Sequence, residues 1–302
     1  MVDGMSDDGT RDILTRLAEE NPSLRSLDNP GRLVSMGLNL GIRAAVGDII
    51  VRMDAHTEYA ADYVRQCVAV LQETGAANVG GPARTRSLGY VQSAIRAAYH
   101  SPFASGGARF HDVNFEGFVD TVTYGCWRRE VFDQCGLFDE ELLCTEDDEF
   151  NLRLARAGRK IWQSPRIRSW YWPRRSLRDL FRQYMQYGYW KVRLIRKHKI
   201  PASPRHLVPG GFLCLLIVLL VLSPWWPSAA WIWLILMGMY SACNILASFL
   251  AAARFEWKLL PLLPFVFACY HFSYGYGFLQ GIRDFVVLRR EPAHIYTKLT
   301  RK

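Results

Sequence analysis

The sequence predicts an α/β domain followed by a helical region that associates with a membrane. Two observations support this prediction: helical and strand patterns alternate up to residue 165, and the long apolar runs lie after His206. The 302 residues suffice for one domain of about 200 residues and a second, smaller unit. Alternating helices and strands are typical of a mostly parallel sheet.

Each element is assigned from its own periodicity. Helices are assigned where apolar residues recur every three or four positions, and strands where a short apolar run ends at Asp, Gly or Pro. The predicted helices are 11–20, 32–46, 60–73, 129–134 and 146–157, and the predicted strands are 48–53, 78–82 and 119–127. Segment 88–113 is predicted to be a helix followed by a glycine-rich mobile loop.

Three apolar runs follow, at 207–227, 229–251 and 259–280, each close to the roughly 20 residues that cross a bilayer. The third contains two prolines, a histidine and a glutamine, which favours an interfacial or re-entrant helix over a regular span. The sequence therefore predicts two full spans as a hairpin. The expected division is a domain at 1–165, a basic amphipathic region at 166–205, membrane helices at 206–282 and a basic cytoplasmic tail at 283–302.

The formal charge of +9 is concentrated next to these runs. Between Arg153 and His206 there are sixteen Lys and Arg residues against one acid, Asp179. A basic stretch beside a span is typical of the cytoplasmic side and of contact with anionic lipids, so membrane lipids are expected partners and nucleic acid is not. With no signal-peptide pattern at the start, we expect a multi-pass protein of the inner (plasma) membrane with its N-terminal domain in the cytoplasm.

Acidic side chains stand where predicted strands and helices meet. Asp3 ends the opening stretch Met-Val-Asp-Gly, and Asp54-Ala-His56 follows an Ile-rich strand. Ligands of open α/β sheets bind at the carboxyl ends of strands, and a carboxylate and an imidazole two residues apart are able to share one divalent cation. The alternative at both places is a plain turn in which Asp caps the next helix. Because a β/α fold should not begin at a strand end, we expect a first strand and helix before Met1.

The third acidic group, Glu146-Asp147-Asp148-Glu149, opens the helix 146–157. Acids at a helix N-terminus offset the helix dipole, so favourable capping is the alternative interpretation. Four acids are more than capping requires. Crowded carboxylates raise one another's affinity for protons, which suits a general base that works near neutral pH.

Taken in order, the motifs DG.SDDGT, N.G...A.GD...R.DAH, GCWRREVF...G.FDE and EDDEFNLRLARAG are more specific than any one of them. Together they resemble the family 2 glycosyltransferases, in particular the membrane-bound subgroup that builds bacterial exopolysaccharides, which includes the succinoglycan glucosyltransferases. The resemblance covers residues 2–199. It implies a GT-A fold, which is Rossmann-like with a mostly parallel sheet.

The resemblance also implies roles for individual residues. Asp147 would be the base and Glu146 would orient it, while Asp54 and His56 would hold a divalent cation, Mn²⁺ or Mg²⁺. The nucleotide sugar would contact Asp3, Asp54, Gln186 and Trp190, and the acceptor would contact Gly125 and Cys126. Tyr189 stands where the family's QxxRW motif has Arg, and His56 stands where its DxD motif has the second Asp.

One carboxylate in line with C1 gives direct displacement and inversion of configuration. The resemblance therefore implies an inverting hexosyltransferase that takes glucose from UDP-glucose, the family's commonest donor, to a lipid-linked or polysaccharide acceptor in exopolysaccharide biosynthesis. The alternative from another class is a catalytically inactive membrane scaffold, or a gene fragment of the same family.

Overall fold

The computed structural model describes residues 1–292 and 294–297. The strands in this part are β1 (Val2–Asp3), β2 (Leu27–Asp28), β3 (Ile49–Val51), β4 (Thr57–Tyr59), β5 (Asn78–Gly81), β6 (Arg84–Thr85), β7 (Gly117–Phe118), β8 (Thr123–Arg128), β9 (Ile161–Gln163) and β10 (Ser169–Tyr171). The helices are α1 (Thr10–Glu20), α2 (Val34–Ala44), α3 (Tyr63–Thr74), α4 (Tyr90–Tyr99), α5 (Pro102–Ser105), α6 (Glu130–Cys135), α7 (Glu146–Arg156), α8 (Leu177–His198), α9 (Val208–Leu222), α10 (Pro227–Arg254), α11 (Leu263–Gly281) and α12 (His294–Thr297). A π-helical turn, Ile282–Val287, continues α11.

The chain folds into two compact units. The first contains Met1–Ala55, Ala60–Gly81 and Glu116–Ile167, and the second contains His56–Tyr59, Pro82–Phe115 and Arg168–Lys302. The predicted boundaries at 165, 205 and 282 stay predictions.

The main sheet of the first unit has the strand order β3-β8-β5-β9-β7. Strands β5 and β9 are parallel, but β8 runs antiparallel to both β3 and β5, and β7 runs antiparallel to β9. The prediction of a mostly parallel sheet is therefore wrong for this sheet, which is mixed. An apolar run shows where a strand lies but not the direction in which it enters the sheet.

The predicted strand 119–127 contains most of β8, which lies between β3 and β5, and a separate two-residue strand, β7, precedes it at the edge of the sheet. The chain leaves one edge after Phe118 and returns into the middle of the sheet at Thr123. β7 and β8 therefore run in the same direction, opposite to β5 and β9, and the alternation of side chains does not indicate this direction.

An aromatic core fixes α6 and α7 against β8. Trp127, Phe132, Phe138 and Phe150 are buried together. The Phe132 and Phe150 rings are stacked with centroids 5.2 Å apart, and the Phe138 ring is tilted against Phe150 with centroids 4.8 Å apart. Each such pair contributes about 0.5–1.5 kcal/mol beyond its buried area. The acidic first turn of α7 is thereby held on a rigid support.

In the second unit, α8 and α11 are in backbone contact through glycines. A Cβ atom at Gly188 would overlap the carbonyl of Tyr274, and one at Gly277 would overlap the carbonyl of Met185. Helices come this close only where small residues line the contact. The pair forms a rigid element of the unit.

Among the described residues, two helices are long and apolar enough to cross a membrane, by length and composition alone: Pro204–Leu222 and Pro227–Arg254. Their mean hydropathies are 2.2 and 1.8, and most of their residues are not buried within the protein. The third apolar run forms α11, whose Val266 and Phe267 are fully buried. It is a core helix of the second unit, packed against α8, α9 and α10.

Candidate active site

Two of the predicted acidic residues, Asp54 and Glu146, meet at one arginine of the first unit. Arg52 follows β3 and donates from Nε and Nη2 to the two carboxylate oxygens of Asp54, at 2.8 and 3.1 Å. Its Nη1 donates to Oε1 of Glu146 in the first turn of α7, at 3.2 Å. The Arg52 and Glu146 side chains are each 9% exposed. The site is thus a buried guanidinium shared by two carboxylates, and Glu146 lies 94 residues from Arg52 in sequence.

Strand β8 also contacts Arg52. The Arg52 N–H donates to the carbonyl of Gly125 at 3.1 Å, and the guanidinium lies 6.0 Å from the centroid of the Tyr124 ring. Tyr124 and Gly125 have φ values of 65° and 115°, so the strand is locally distorted here. A Cβ at Gly125 would overlap the Trp127 ring, which makes glycine necessary at this position.

A chain of buried amides links β8 to α7. The Cys126 N–H donates to Oδ1 of Asn78 at 3.2 Å, and Nδ2 of Asn78 donates to Oδ1 of Asn151 at 2.9 Å. Asn151 in turn donates to the Thr121 hydroxyl at 2.9 Å. Asn78, Thr121 and Asn151 were not predicted from the sequence, where the signal is no more than a polar residue within or beside an apolar pattern. Arg52 is part of the motif N.G...A.GD...R.DAH, but the sequence alone gave it no role.

Of the two predicted acceptor contacts, Gly125 adjoins Arg52, whereas the Cys126 side chain is fully buried. A hydrogen bond with Cys67 and burial raise the pKa of the Cys126 thiol, so the thiol stays neutral. Their contacts with an acceptor remain predictions.

The first turn of α7 begins with a strained residue. Thr145 has φ of 69°, which a β-branched residue adopts only under constraint. Its hydroxyl oxygen is buried and has no hydrogen-bond partner among residues 1–292 and 294–297. Strained backbone and unsatisfied polar groups concentrate at functional sites.

Asp147 is partly buried in this turn. Its Oδ1 accepts a hydrogen bond from the Asp148 N–H at 2.9 Å. Burial and the negative charges of Glu146 and Asp148 raise the pKa of Asp147 to about 7, while Arg52 acts in the opposite direction. A carboxylate with this pKa is able both to take and to release a proton near neutral pH.

Arg153 follows Asp147 in the same motif and lies in the last turn of α7. Its guanidinium pairs with Glu149, with Nη2 2.8 Å from Oε2, and also donates to the carbonyls of Cys135 and Leu137. Arg153 therefore ties α7 to the segment after α6.

Asp3 lies at the end of β1 and is almost fully buried. Its carboxylate accepts from the Ser6 hydroxyl at 2.6 Å and from the Ser6 N–H at 2.9 Å, and these bonds lower its pKa. A cavity of about 360 Å³ adjoins it, lined by Asp3, Arg11, Thr15, Ser26, Leu27 and Asp28.

The chemistry of Asp54 fits a divalent cation, because carboxylate oxygen is a ligand that Mg²⁺ and Mn²⁺ prefer and this carboxylate already holds a positive group. Since both oxygens accept from Arg52, a cation would compete with the guanidinium. His56 belongs to the second unit, so its pairing with Asp54 stays a prediction. Residues 1–292 and 294–297 contain no group of three or more His, Cys, Asp or Glu able to hold a metal ion.

The predicted donor contacts on α8 also lie in the second unit. Trp190 Nε1 and Gln186 Nε2 both donate to the carbonyl oxygen of Tyr296 in α12, at 3.0 and 3.4 Å. Tyr189, between them, stacks on the Tyr296 ring at 3.8 Å. The side-chain N–H groups of Gln186 and Trp190, which were predicted to contact the nucleotide sugar, are therefore hydrogen-bonded to α12.

Comparisons with known proteins agree with this architecture. Residues 1–136 match the family described as Glycosyl transferase family 2. The chain is 29% identical over 287 residues to the succinoglycan biosynthesis protein ExoA of Rhizobium meliloti (strain 1021), covering 94% of this chain and 86% of that protein.

A second relative comes from Methanococcus voltae and is named dolichyl N-acetyl-alpha-D-glucosaminyl phosphate 3-beta-D-2,3-diacetamido-2,3-dideoxy-beta-D-glucuronosyltransferase. It is 26% identical over 290 residues, covering 93% of this chain and 86% of that protein. Among solved structures, the mannosyltransferase PcManGT from Pyrobaculum calidifontis, in complex with GDP-Man and Mn²⁺, has a similar fold, with a TM-score of 0.54 at 18% identity. The match covers 92% of this chain and 76% of the PcManGT chain. Residues 1–136 therefore match glycosyltransferase family 2, and the chain is a glycosyltransferase enzyme with the GT-A fold.

Proposed function

We propose that the enzyme inverts configuration as it moves a hexose from a nucleotide-diphosphate sugar to a hydroxyl of a lipid-linked or polysaccharide acceptor. The observation that supports this most is Asp147, whose pKa of about 7 suits a general base. The names of the relatives support the acceptor class: one acts in succinoglycan biosynthesis and the other on a dolichyl-linked sugar phosphate. PcManGT binds GDP-Man, which supports a nucleotide sugar as donor.

In this mechanism Asp147 removes the proton from the acceptor hydroxyl. The hydroxyl oxygen forms a bond to C1 as the bond from C1 to the diphosphate breaks, and the proton remains on Asp147. A single carboxylate as base requires no covalent sugar intermediate, so an α-linked donor gives a β-linked product. Glu146, held by Arg52, contributes the negative charge that keeps the proton affinity of Asp147 high.

A divalent cation, Mn²⁺ or Mg²⁺, would be held by Asp54 together with His56 and would stabilise the departing diphosphate. Asp3 and its cavity would take the nucleoside. Gln186 and Trp190 would contact the donor after α12 releases them, and Gly125 and Cys126 would border the acceptor. UDP-glucose is the donor that we propose first.

We also propose that the two apolar helices span the plasma membrane, with the first unit, α8 and the C-terminus in the cytoplasm. The exposed apolar surfaces of Pro204–Leu222 and Pro227–Arg254 and the basic residues of α8 support this orientation. A reporter fused after Lys302 should be active in its cytoplasmic form only. Strong periplasmic activity of an alkaline phosphatase fusion would instead require an odd number of spans.

The function is tested by donor screening on the purified protein in detergent. Release of nucleotide diphosphate is measured for UDP-, GDP- and dTDP-sugars, with a membrane lipid extract as the source of acceptor. We expect release from one donor, strongest with UDP-glucose, and dependence on the extract. No release from any donor would favour the inactive scaffold.

A further inference from the structure

A buried carboxylate lies outside the candidate active site, in the π-helical turn Ile282–Val287. Asp284 in this turn has no exposed surface. Its Oδ2 accepts from the Tyr189 hydroxyl at 3.0 Å, and its Oδ1 accepts from Arg283 Nε at 2.8 Å and from Arg290 Nη2 at 2.7 Å. π-Helical turns within α-helices occur frequently at functional sites.

The charges of this group do not balance. One guanidinium would neutralise Asp284, yet two are bound to it, and each arginine side chain remains 48% exposed. Within residues 1–292 and 294–297, both guanidinium groups hydrogen-bond to Asp284, and each uses one nitrogen for it. The remaining N–H groups are thus held in a fixed place with one excess positive charge.

The backbone fixes the second arginine independently of its side chain. The Arg290 N–H donates to the carbonyl of Asp284 at 3.0 Å, so the chain folds back over the π-helical turn. A further arginine on α8, Arg196, donates to the carbonyl of Phe285. Guanidinium groups that are prealigned in this way bind the oxygens of phosphate with two hydrogen bonds each.

The position of the group along α11 indicates the kind of phosphate. A Cβ at Gly275 would lie 2.7 Å from the carbonyl of Pro209, and one at Gly210 would overlap the Phe278 ring, so this part of α11 meets the first turn of α9. Arg283 lies five residues beyond Phe278, about 7 Å farther along the helix. The first candidate span begins at this level, and the headgroups of lipids lie where a span leaves the hydrocarbon.

We propose that Arg283 and Arg290, fixed by Asp284, bind the phosphate group of a lipid. This inference rests on the proposed function in one respect, which is that α9 spans a membrane. The phosphate belongs either to the lipid-linked acceptor or to a phospholipid of the bilayer. Both lipids present the same phosphate chemistry to the two arginines, and competition between farnesyl phosphate and bilayer phospholipid distinguishes them.

The test measures the binding of farnesyl phosphate to the full chain in nanodiscs of phosphatidylcholine, with farnesol as the uncharged comparison. We expect Arg283→Gln and Arg290→Gln to weaken the binding of farnesyl phosphate about tenfold each, since each removes a charged hydrogen-bond donor. The Lys substitutions should retain part of the affinity. Farnesol should bind equally to all variants.

Arg289→Asn is the matched control, because Arg289 is exposed, lies in the same segment and has φ of 50°, which asparagine tolerates. It should bind farnesyl phosphate as the wild type does. The proposal is overturned if the Gln variants bind as tightly as the wild type, or if Arg289→Asn loses as much affinity as they do.

Nanodiscs that contain phosphatidylglycerol identify the source. Loss of farnesyl phosphate binding in them would assign the site to bilayer headgroups, and unchanged binding would assign it to the acceptor. Nucleotide release from the donor is measured in parallel. If no donor is turned over while the Gln variants still lose affinity, the proposed function fails and the phosphate site stands.

Discussion

Asp147→Asn keeps the size of the side chain and removes its negative charge, so it separates the chemistry of the site from its packing. If Asp147 is the base, turnover should fall by about 10²-fold or more, because an amide cannot accept the proton. The affinity for the donor should change little. Turnover is measured as nucleotide release at saturating donor and acceptor.

The same substitution should make the protein more stable. The pKa of Asp147 is raised from 3.8 to about 7, so the folded protein holds the proton more tightly than the unfolded chain does. Ionisation therefore destabilises the fold: the penalty is absent below about pH 4, grows as the pH rises, and is complete above about pH 7. A shift of about three units corresponds to roughly 4 kcal/mol as an upper bound.

We therefore expect the free energy of unfolding of Asp147→Asn to exceed that of the wild type by about 2–4 kcal/mol at pH 8, and by much less at pH 4. Urea unfolding in EDTA at both pH values measures the difference. Asp148→Asn is the matched control and should retain turnover. Near wild-type turnover of Asp147→Asn would refute its role as base, and equal stability at pH 8 would refute the raised pKa.

Three further perturbations test the surroundings of the site. Arg52→Gln removes the cation that pairs with the buried Glu146 and the partly buried Asp54, so the free energy of unfolding should fall by about 3–5 kcal/mol. The acidic limb of the pH–rate profile should move to higher pH because Arg52 lowers the pKa of Asp147, and an unmoved limb contradicts this. Activity should require a divalent cation, and Mn²⁺ should support it at least as well as Mg²⁺. His56→Asp should shift the preference toward Mg²⁺, because a carboxylate is a harder ligand than an imidazole. Full activity in excess EDTA would rule out the metal role. Gly188→Ala should lower the melting temperature because its Cβ overlaps the backbone of α11, whereas Gly211→Ala, with open space around it, should not; equal melting temperatures would disprove the close contact.

The sequence determined the features that depend on neighbouring residues. The apolar period of 11–20 and 146–157 predicted α1 and α7 within a residue, because an amphipathic helix is encoded in the spacing of its own side chains. The lengths of the apolar runs predicted two helices able to cross a membrane, because the length of a run is also a property of consecutive residues. The order of the acidic motifs indicated the family, because that order is a property of the linear chain and does not depend on how the chain folds.

Only the tertiary structure decided how these pieces meet. The direction in which β7 and β8 enter the sheet depends on the path of the chain between β5 and β7, which no periodicity encodes. The C-terminal helix reaches the polar groups of Gln186 and Trp190 across more than a hundred residues.

The charge balance of the site was likewise set by folding. In the sequence, Arg52 is one basic residue in a strand motif, and the acids of α7 are a run at a helix start. The fold brings Arg52 between Asp54 and Glu146 and limits the access of water to Asp147, which raises its pKa. Proton affinity depends on burial and on charges within a few ångströms, and those distances exist only after residues 94 positions apart have come together.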